Sequence, residues 1–154
     1  DNIPNSGVPT GPRAVRWQPT APATLTWAEA LDGGNPKAAA PHRDKVVTLA
    51  APFSGTPAEL ARTEHRFGNL QWTDKGVGLL TENDRTTRRT RTWVLDGGGA
   101  APRKLWDRSA EDSYSHPGTP IRREGASGLD VIPQTGATIY LAGTGASPQG
   151  DKPF

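Results

Sequence analysis

Hydrophobic and polar residues alternate in short runs along this chain of 154 residues, and turns that contain Gly or Pro separate the runs. Alternation with a period of two is typical of half-buried β-strands, whereas an amphipathic helix repeats apolar residues at i, i+3, i+4 and i+7. Almost no segment follows the helical period. The pattern therefore predicts an all-β chain, with strands at residues 14–18, 24–29, 45–50, 59–62, 68–72, 77–82, 89–95, 104–107, 128–132 and 138–142.

The predicted strands form an internal repeat. The string Val15-Arg-Trp17-Gln18 corresponds to Leu70-Gln-Trp72-Thr73, and in each case a turn and a second strand follow. A third and a fourth strand complete each unit, so that the period is roughly 50 residues with four strands per period, which is typical of β-propeller blades. Because the two tryptophans recur at equivalent positions, we expect them to pack between blades rather than to stack on a ligand.

The repeat predicts an incomplete β-propeller with about two and a half four-stranded antiparallel blades. A lead-in segment comes first, two blades follow, a long inter-blade loop comes next, and the first half of a further blade is last. The alternative is a small sandwich or an open meander that is complete in itself. The predicted boundaries are 1–13, 14–66, 67–109, 110–127 and 128–154 in that order.

The composition contains few residues that build a core. Leu, Ile, Val and Phe supply 25 of the 154 residues, about 16%, which approaches the range of disordered chains. Disorder also favours a high net charge and few aromatic residues, and this chain has a net charge of only +2 and five Trp. We therefore expect an ordered segment of a larger folded unit, and because a propeller needs roughly four to eight blades to close its ring, the missing packing partners would include further blades.

Several classes of function are not expected. The chain has no Cys, and no apolar run approaches the roughly 20 residues of a membrane-spanning helix. The small net charge is weak support for nucleic-acid binding. No metal site and no cofactor are predicted, because the three histidines, His42, His65 and His116, lack the spacing of metal ligands. Neither nucleic acid nor a membrane is expected as a partner.

The chain also lacks the serine motif of an α/β-hydrolase. Such a site needs Gly-Xaa-Ser-Xaa-Gly at a strand-to-helix turn. The nearest string, Gly125-Ala-Ser127-Gly-Leu129, has its second Gly one position too early and lies where a strand is predicted to begin. We interpret Ser127 as a turn residue with a solvated hydroxyl and expect no catalytic residue in this chain.

The most informative charged feature is a group of four arginines within seven residues. Guanidinium groups pair bidentately with carboxylates, so this group could draw an acidic peptide to the protein. Strand alternation places Arg89 and Arg91 on one face and Arg88 on the other. The alternative is an ordinary hairpin whose arginines pair with Glu82, Asp84 or Asp96 or face solvent. The group comprises Arg85, Arg88, Arg89 and Arg91, and the last three are the candidate substrate-binding residues.

Several longer strings resemble those of a known family. They include Arg88-Arg-Thr-Arg-Thr-Trp-Val94, Pro102-Arg-Lys-Leu-Trp-Asp-Arg-Ser109 and Gly143-Thr-Gly-Ala-Ser-Pro-Gln-Gly150. Over most of its length, from about Val15 to Phe154, the chain is similar to the propeller of glutamyl endopeptidases in the prolyl oligopeptidase family of serine peptidases.

The resemblance implies that this propeller segment caps a C-terminal α/β-hydrolase domain outside the chain. That domain would hold a Ser-Asp-His triad and cleave peptides after acidic residues, while the propeller restricts access and helps to position the peptide substrate. The implied partners are the remaining blades and the hydrolase domain. The implied location is outside the cytoplasm for a bacterial protein and the plastid stroma for a plant protein. The alternative is a non-enzymatic propeller module that binds a protein or an anionic ligand.

Overall fold

A computed structural model describes residues 3–97 and 100–143, and the backbone of residues 146–147 and 150–151. All regular secondary structure in these ranges is β. Two four-stranded antiparallel sheets follow one another along the chain, and in each sheet the strands are ordered as they occur in the sequence. The first sheet contains β1 (Arg13–Trp17), β2 (Thr24–Ala30), β3 (Asp44–Ala50) and β4 (Ala58–Thr63), and the second contains β5 (Arg66–Trp72), β6 (Gly78–Asp84), β7 (Arg89–Leu95) and β8 (Arg103–Ser109).

The remaining strands have two residues each and form four separate pairs. The pairs are β9 with β14, β10 with β11, β12 with β13, and β15 with β16. Their bounds are β9 (Thr119–Pro120), β10 (Arg123–Glu124), β11 (Asp130–Val131), β12 (Gln134–Thr135), β13 (Thr138–Ile139), β14 (Leu141–Ala142), β15 (Ala146–Ser147) and β16 (Gly150–Asp151).

One hydrophobic cluster joins the two sheets. Val46 and Ala61 of the first sheet pack with Leu80 and Leu95 of the second, and all four side chains are buried. Since successive residues of a strand point to opposite faces, this cluster identifies the face of the second sheet that lies against the first.

A second cluster covers the other face of the second sheet. It contains Leu79 and Val94, which are the sequence neighbours of residues on the first face, together with the fully buried Ile132. Ile132 forms a parallel bridge with Thr73, the residue that follows β5. Because the second sheet is covered on both faces, β6 contains the apolar pair 79–80 instead of strict alternation.

The prediction of an all-β fold is confirmed, and the two four-stranded antiparallel sheets are the arrangement expected of consecutive blades of an incomplete propeller. The strand predicted at residues 89–95 agrees with β7 at both ends, and the other seven strands of the two sheets begin and end within two residues of the predicted bounds. Among the described residues there is no helix long and apolar enough to cross a membrane.

The residues after the second sheet differ from the prediction. The strand predicted at 128–132 is reduced to β11, because Pro133 has no N–H with which to extend a ladder and Ile132 pairs with Thr73. The strand predicted at 138–142 is divided between β13 and β14. Part of the predicted loop 110–127 is also paired, since β9 pairs with β14 and β10 with β11.

The two repeated tryptophans lie in different environments. Trp72 is buried, whereas 51% of the Trp17 surface is exposed and its ring lies 6.1 Å from the ring of Phe53. Trp17 lies on an edge strand of the first sheet, so its packing between blades stays a prediction.

Candidate functional site

The predicted arginine cluster lies at the β6–β7 turn. Arg88 has a left-handed backbone in this turn, with φ of 55°, and its guanidinium lies 2.8 Å from Glu111. About two thirds of each of these two side chains is exposed. Arg89 begins β7, and its Nε donates to Oδ1 of Asp107 at 2.8 Å. Exposed pairs of this kind contribute little to stability, so both guanidiniums can exchange their partner for another carboxylate.

Arg91 lies deeper than its neighbours. Its guanidinium donates to Glu64 at 2.7 Å and to Asp107 at 3.2 Å, and it lies 3.7 Å from the buried Glu82. The hydrogen bond from Arg91 lowers the pKa of Glu64, and the hydrogen bond from Arg89, followed by that from Lys104, lowers the pKa of Asp107. Arg91 therefore lies within a network of carboxylates and joins the second sheet to Glu64, which follows the last strand of the first sheet.

The structure separates the candidate arginines into two groups. Arg89 and Arg91 share Asp107, as alternation along β7 requires, and Arg88 pairs elsewhere. Of the carboxylates predicted as partners, Glu82 lies near Arg91. Asp84 instead accepts hydrogen bonds from Thr86 and Thr87, which close the turn and lower its pKa.

A shallow groove of about 360 Å³ lies beside the turn. The guanidinium-bearing residues Arg85, Arg88 and Arg89 line it, and Phe67 and Ala110 form apolar parts of its wall. Arg85 is exposed and has no ion pair within the described part of the chain. The groove has the chemistry to bind a ligand in which a carboxylate is attached to an extended or apolar group.

A buried ionic network that no sequence motif predicts lies between the two sheets. Arg66, the first residue of β5, holds Asp32 with Nη1 at 3.1 Å and Nη2 at 2.6 Å. The same Nη1 donates to Asp44 at 2.8 Å. The side chains of both aspartates are fully buried, so the first strand of the second sheet is attached to one carboxylate in the β2–β3 connection and one at the start of β3.

Further donors bind these carboxylates. Asp32 accepts the Gly34 N–H at 3.0 Å and Nη1 of Arg43 at 3.0 Å, and Asp44 accepts the Phe67 N–H at 2.6 Å. Burial tends to raise the pKa of Asp32, but the hydrogen bonds from Arg66 and Arg43 outweigh it and lower the pKa. Asp32 is therefore held as a carboxylate.

The turn that joins the two sheets is also hydrogen-bonded to a buried carboxylate of the second sheet. Glu82 is fully buried, and its Oε2 accepts the His65 N–H at 2.9 Å, while its Oε1 accepts the Trp93 indole N–H at 2.9 Å. Each residue from 64 to 67 thus has a hydrogen bond to a charged side chain of one of the two sheets. In the sequence these partners lie up to 34 residues apart and share no local motif, so spacing alone could not identify them.

The other candidates have structural roles. Ser127 lies in the turn between β10 and β11, and its hydroxyl donates to the Pro19 carbonyl at 3.0 Å rather than to a base. The interpretation of Ser127 as a turn residue agrees with this geometry. His116 is exposed, and its Nδ1 accepts the Gly118 N–H at 2.9 Å. Within residues 3–97 and 100–143, no group of three or more His, Asp or Glu could hold a metal ion.

The chain is similar to two curated proteins from plants. Two plant proteins named "Probable glutamyl endopeptidase, chloroplastic", from Oryza sativa subsp. japonica and Arabidopsis thaliana, are each 40% identical to the chain. The alignments, over 161 and 162 residues, include 99% of this chain and 17% of each plant protein. The chain is similar to a segment of these proteins. The names of these two proteins denote peptidases.

The chain thus spans about a sixth of the length of the curated relatives that it matches. No family model matches the sequence, and no solved structure gives a significant match.

Proposed function

We propose that this chain is a non-catalytic β-propeller portion of a serine endopeptidase of the prolyl oligopeptidase family that cleaves after acidic residues. The observation that carries the proposal is the 40% identity to proteins named glutamyl endopeptidase across almost the whole chain. Two consecutive four-stranded meanders support the propeller part of the proposal. The nucleophile would belong to an α/β-hydrolase domain outside this chain.

In this proposal the segment restricts access to the hydrolase domain and helps to position the peptide. Arg88 and Arg89 are the exposed guanidiniums that would contact an acidic side chain of the substrate, with 64% and 44% of each side chain accessible. Arg91 is 20% exposed and would hold Asp107 beside Arg89. Guanidinium groups favour carboxylate over amide side chains because only the carboxylate forms an ion pair with them.

The peptidase assignment can be tested with the polypeptide encoded by the complete reading frame. We expect it to cleave a peptide that contains Glu, and we expect a serine-directed reagent such as diisopropyl fluorophosphate to abolish this activity. The 154-residue chain by itself should not cleave the peptide. The proposal is wrong if the complete polypeptide has no peptidase activity, or if the 154-residue chain alone cleaves the peptide and is blocked by the reagent.

The role of the arginines is tested by substitution in the same complete polypeptide. Arg88→Gln and Arg89→Gln should lower kcat/KM for a Glu substrate by about 1.4- to fivefold each, because exposed ion pairs contribute roughly 0.2–1 kcal/mol. Cleavage of a less favoured Gln substrate should not change. Arg103→Gln is the matched control, since Arg103 is an exposed arginine on the outer strand of the same sheet. Equal losses for both substrates would refute a role in recognising acidic peptides.

The alternative is a non-enzymatic module that binds a protein or an anionic ligand through the groove at Arg85. The exposed guanidinium of Arg85 is the observation that favours it. A complete polypeptide without peptidase activity that still binds polyglutamate, with Arg85→Gln weakening the binding, would favour this alternative.

A further inference from the structure

The first strand of the first sheet has an open edge. β1 pairs with β2 on one side, and no strand in the described residues pairs with its other side. The Gln18 N–H donates to the Thr24 carbonyl of the hairpin at 2.8 Å. Because successive residues of a strand direct their backbone groups to opposite edges, the N–H and C=O of Trp17 point to the open side.

In the second sheet, a single residue pairs with the end of the equivalent edge. Trp72 is the repeat counterpart of Trp17, and its carbonyl accepts the Ile132 N–H at 2.8 Å. The Asp74 N–H then donates to the Ile132 carbonyl at 2.9 Å, and the local pairing is parallel. The second sheet therefore already binds the backbone of one residue, Ile132, at the end of its β5 edge, next to a repeat tryptophan.

The first sheet cannot form both of these bonds. The residue two positions after Trp17 is Pro19, where the second sheet has Asp74, and proline has no N–H to donate. A groove of about 520 Å³ lies here between β1 and β5. Trp17, Trp72 and Leu129 are among the residues that line it.

The groove combines apolar surface with positive charge. About half of the surface of Val15 and of Trp17 is exposed. Arg16 is exposed and has no ion pair within the described residues, and Arg122 lies 3.6 Å from Asp130 at the other side of the groove. Two arginines thus face one aspartate, and this charge balance complements an acidic ligand.

We propose that this groove binds an extended acidic peptide segment that adds to the open edge of β1. A backbone N–H of the peptide donates to the Trp17 carbonyl, as Ile132 does to Trp72, and the peptide runs parallel to β1. An acidic side chain of the peptide pairs with Arg16, and the Trp17 ring covers an adjacent apolar residue. The choice of peptide as the ligand rests on the proposed function, whereas the site is separate from the arginine cluster at the β6–β7 turn. Strand addition of this type obtains affinity from backbone hydrogen bonds and specificity from side chains.

Binding to the 154-residue chain provides the test. The probe is a dye-labelled, C-terminally amidated hexapeptide with one central Glu and apolar neighbours, and the matched probe has Gln at that position. We expect the Glu peptide to bind more tightly, and Arg16→Gln should weaken its binding by about two- to fivefold and remove its advantage over the Gln peptide. Arg103→Gln, with an exposed arginine on the far strand of the second sheet, should leave both affinities unchanged.

The backbone contact is tested with N-methylated peptides, which cannot donate from the methylated amide. Methylation at the residue that donates to Trp17 should abolish binding, and methylation of its sequence neighbours, which face away from β1, should have little effect. Trp17→Ala should weaken both probes equally, and circular dichroism with thermal unfolding would verify that each variant is folded. The inference is wrong if the probes do not bind at millimolar concentration, if Arg16→Gln and Arg103→Gln are equivalent, or if N-methylation has no effect at any position.

These outcomes are distinguishable from failure of the proposed function. Peptide binding in the groove, combined with no peptidase activity of the complete polypeptide, would support the groove and refute the peptidase assignment. Peptidase activity without peptide binding in the groove would support the peptidase assignment and refute the proposed groove site.

Discussion

Trp93 donates its indole N–H to Oε1 of Glu82 at 2.9 Å, and Trp27 of the first sheet donates in the same way to Oε1 of Glu29 at 2.7 Å. The two glutamates occupy equivalent positions on the second strand of their sheets, but the tryptophans do not. Trp27 lies on the second strand and faces a Val, whereas Trp93 lies on the third strand and faces a Leu. The repeat thus retains a cross-strand pair of one indole and one aliphatic side chain, with the two members exchanged.

Replacement of Glu82 tests the buried end of this contact. Glu82→Ala leaves the Trp93 indole N–H and the His65 N–H without their acceptor in a buried site. We expect a loss of about 2–4 kcal/mol in the free energy of unfolding, because each buried unpaired donor costs roughly 1–3 kcal/mol. Urea denaturation of the 154-residue chain measures this loss. Glu111→Ala, which removes an exposed carboxylate, should change the midpoint little. Equal effects of the two substitutions would contradict the role of Glu82 as the acceptor for two buried N–H groups.

Asp32→Asn tests the ionic network between the sheets. The substitution retains the size of the side chain but removes the charge that faces Arg66 and Arg43. Breaking a buried pair from one side costs about 3 kcal/mol, so the midpoint of urea denaturation should fall by a corresponding amount. Asp96→Asn is the control, because Asp96 is exposed and has no ion pair within the described ranges. A variant as stable as the original protein would mean that the network does not stabilise the contact between the sheets.

The same aspartate predicts a dependence of stability on pH. Its pKa is lowered in the folded protein, since the hydrogen bonds from Arg66 and Arg43 outweigh the effect of burial. Folded Asp32 therefore binds its proton less readily than unfolded Asp32, and its contribution is complete well above the usual Asp pKa of about 3.9. The contribution is lost as the pH falls through the lowered value. The difference in unfolding free energy between the original protein and Asp32→Asn should thus decrease below about pH 5, and a constant difference down to pH 2 would refute the lowered pKa.

Two adjacent glycines separate backbone strain from a steric clash. Gly33 and Gly34 both have positive φ, of 66° and 72°, but an added Cβ meets open space at Gly33 and the Val8 carbonyl at Gly34. Gly33→Ala should cost about 1 kcal/mol from the left-handed backbone alone. Gly34→Ala should cost more, because it also displaces Val8, whose N–H donates to the Gly34 carbonyl at 3.0 Å. Urea denaturation compares the two variants, and faster hydrogen exchange at the Val8 amide should accompany only Gly34→Ala. Identical behaviour of both variants would contradict the close approach.

Arg88 and Arg91 should differ in their effect on stability. Arg91 is 20% exposed and joins Glu64, Asp107 and Glu82, so Arg91→Gln is expected to cost about 1–2 kcal/mol in the free energy of unfolding. Arg88 forms one exposed pair with Glu111, and Arg88→Gln should change the stability by less than about 0.5 kcal/mol. Thermal unfolding of both variants measures the difference. A larger loss of stability for Arg88→Gln than for Arg91→Gln would contradict the conclusion that the less exposed Arg91 stabilises the fold more than Arg88 does.

The strands of the two sheets were predictable because their information is local. Alternation fixes which residues face each side of a strand, and Gly and Pro in the turns limit where a strand can end, so the strand at Arg89–Leu95 could be placed at both ends. The residues after the second sheet were less predictable. Their pairing depends on distant partners, such as Thr73 for Ile132 and Pro120 for Leu141, which no local pattern specifies.

The sequence by itself determined the β class, the four-strand repeat, the separation of Arg88 from Arg89 and Arg91, and the lack of a nucleophile motif. Each of these follows from residue type and spacing within a few positions of the chain. Only the tertiary structure decided that Arg66 joins Asp32 to Asp44, that Trp17 remains exposed, and that Ile132 bridges the end of β5 while no described residue pairs with the free edge of β1. These features depend on how the sheets and the following residues pack, because burial and ion pairing are properties of surfaces that meet across many residues of sequence.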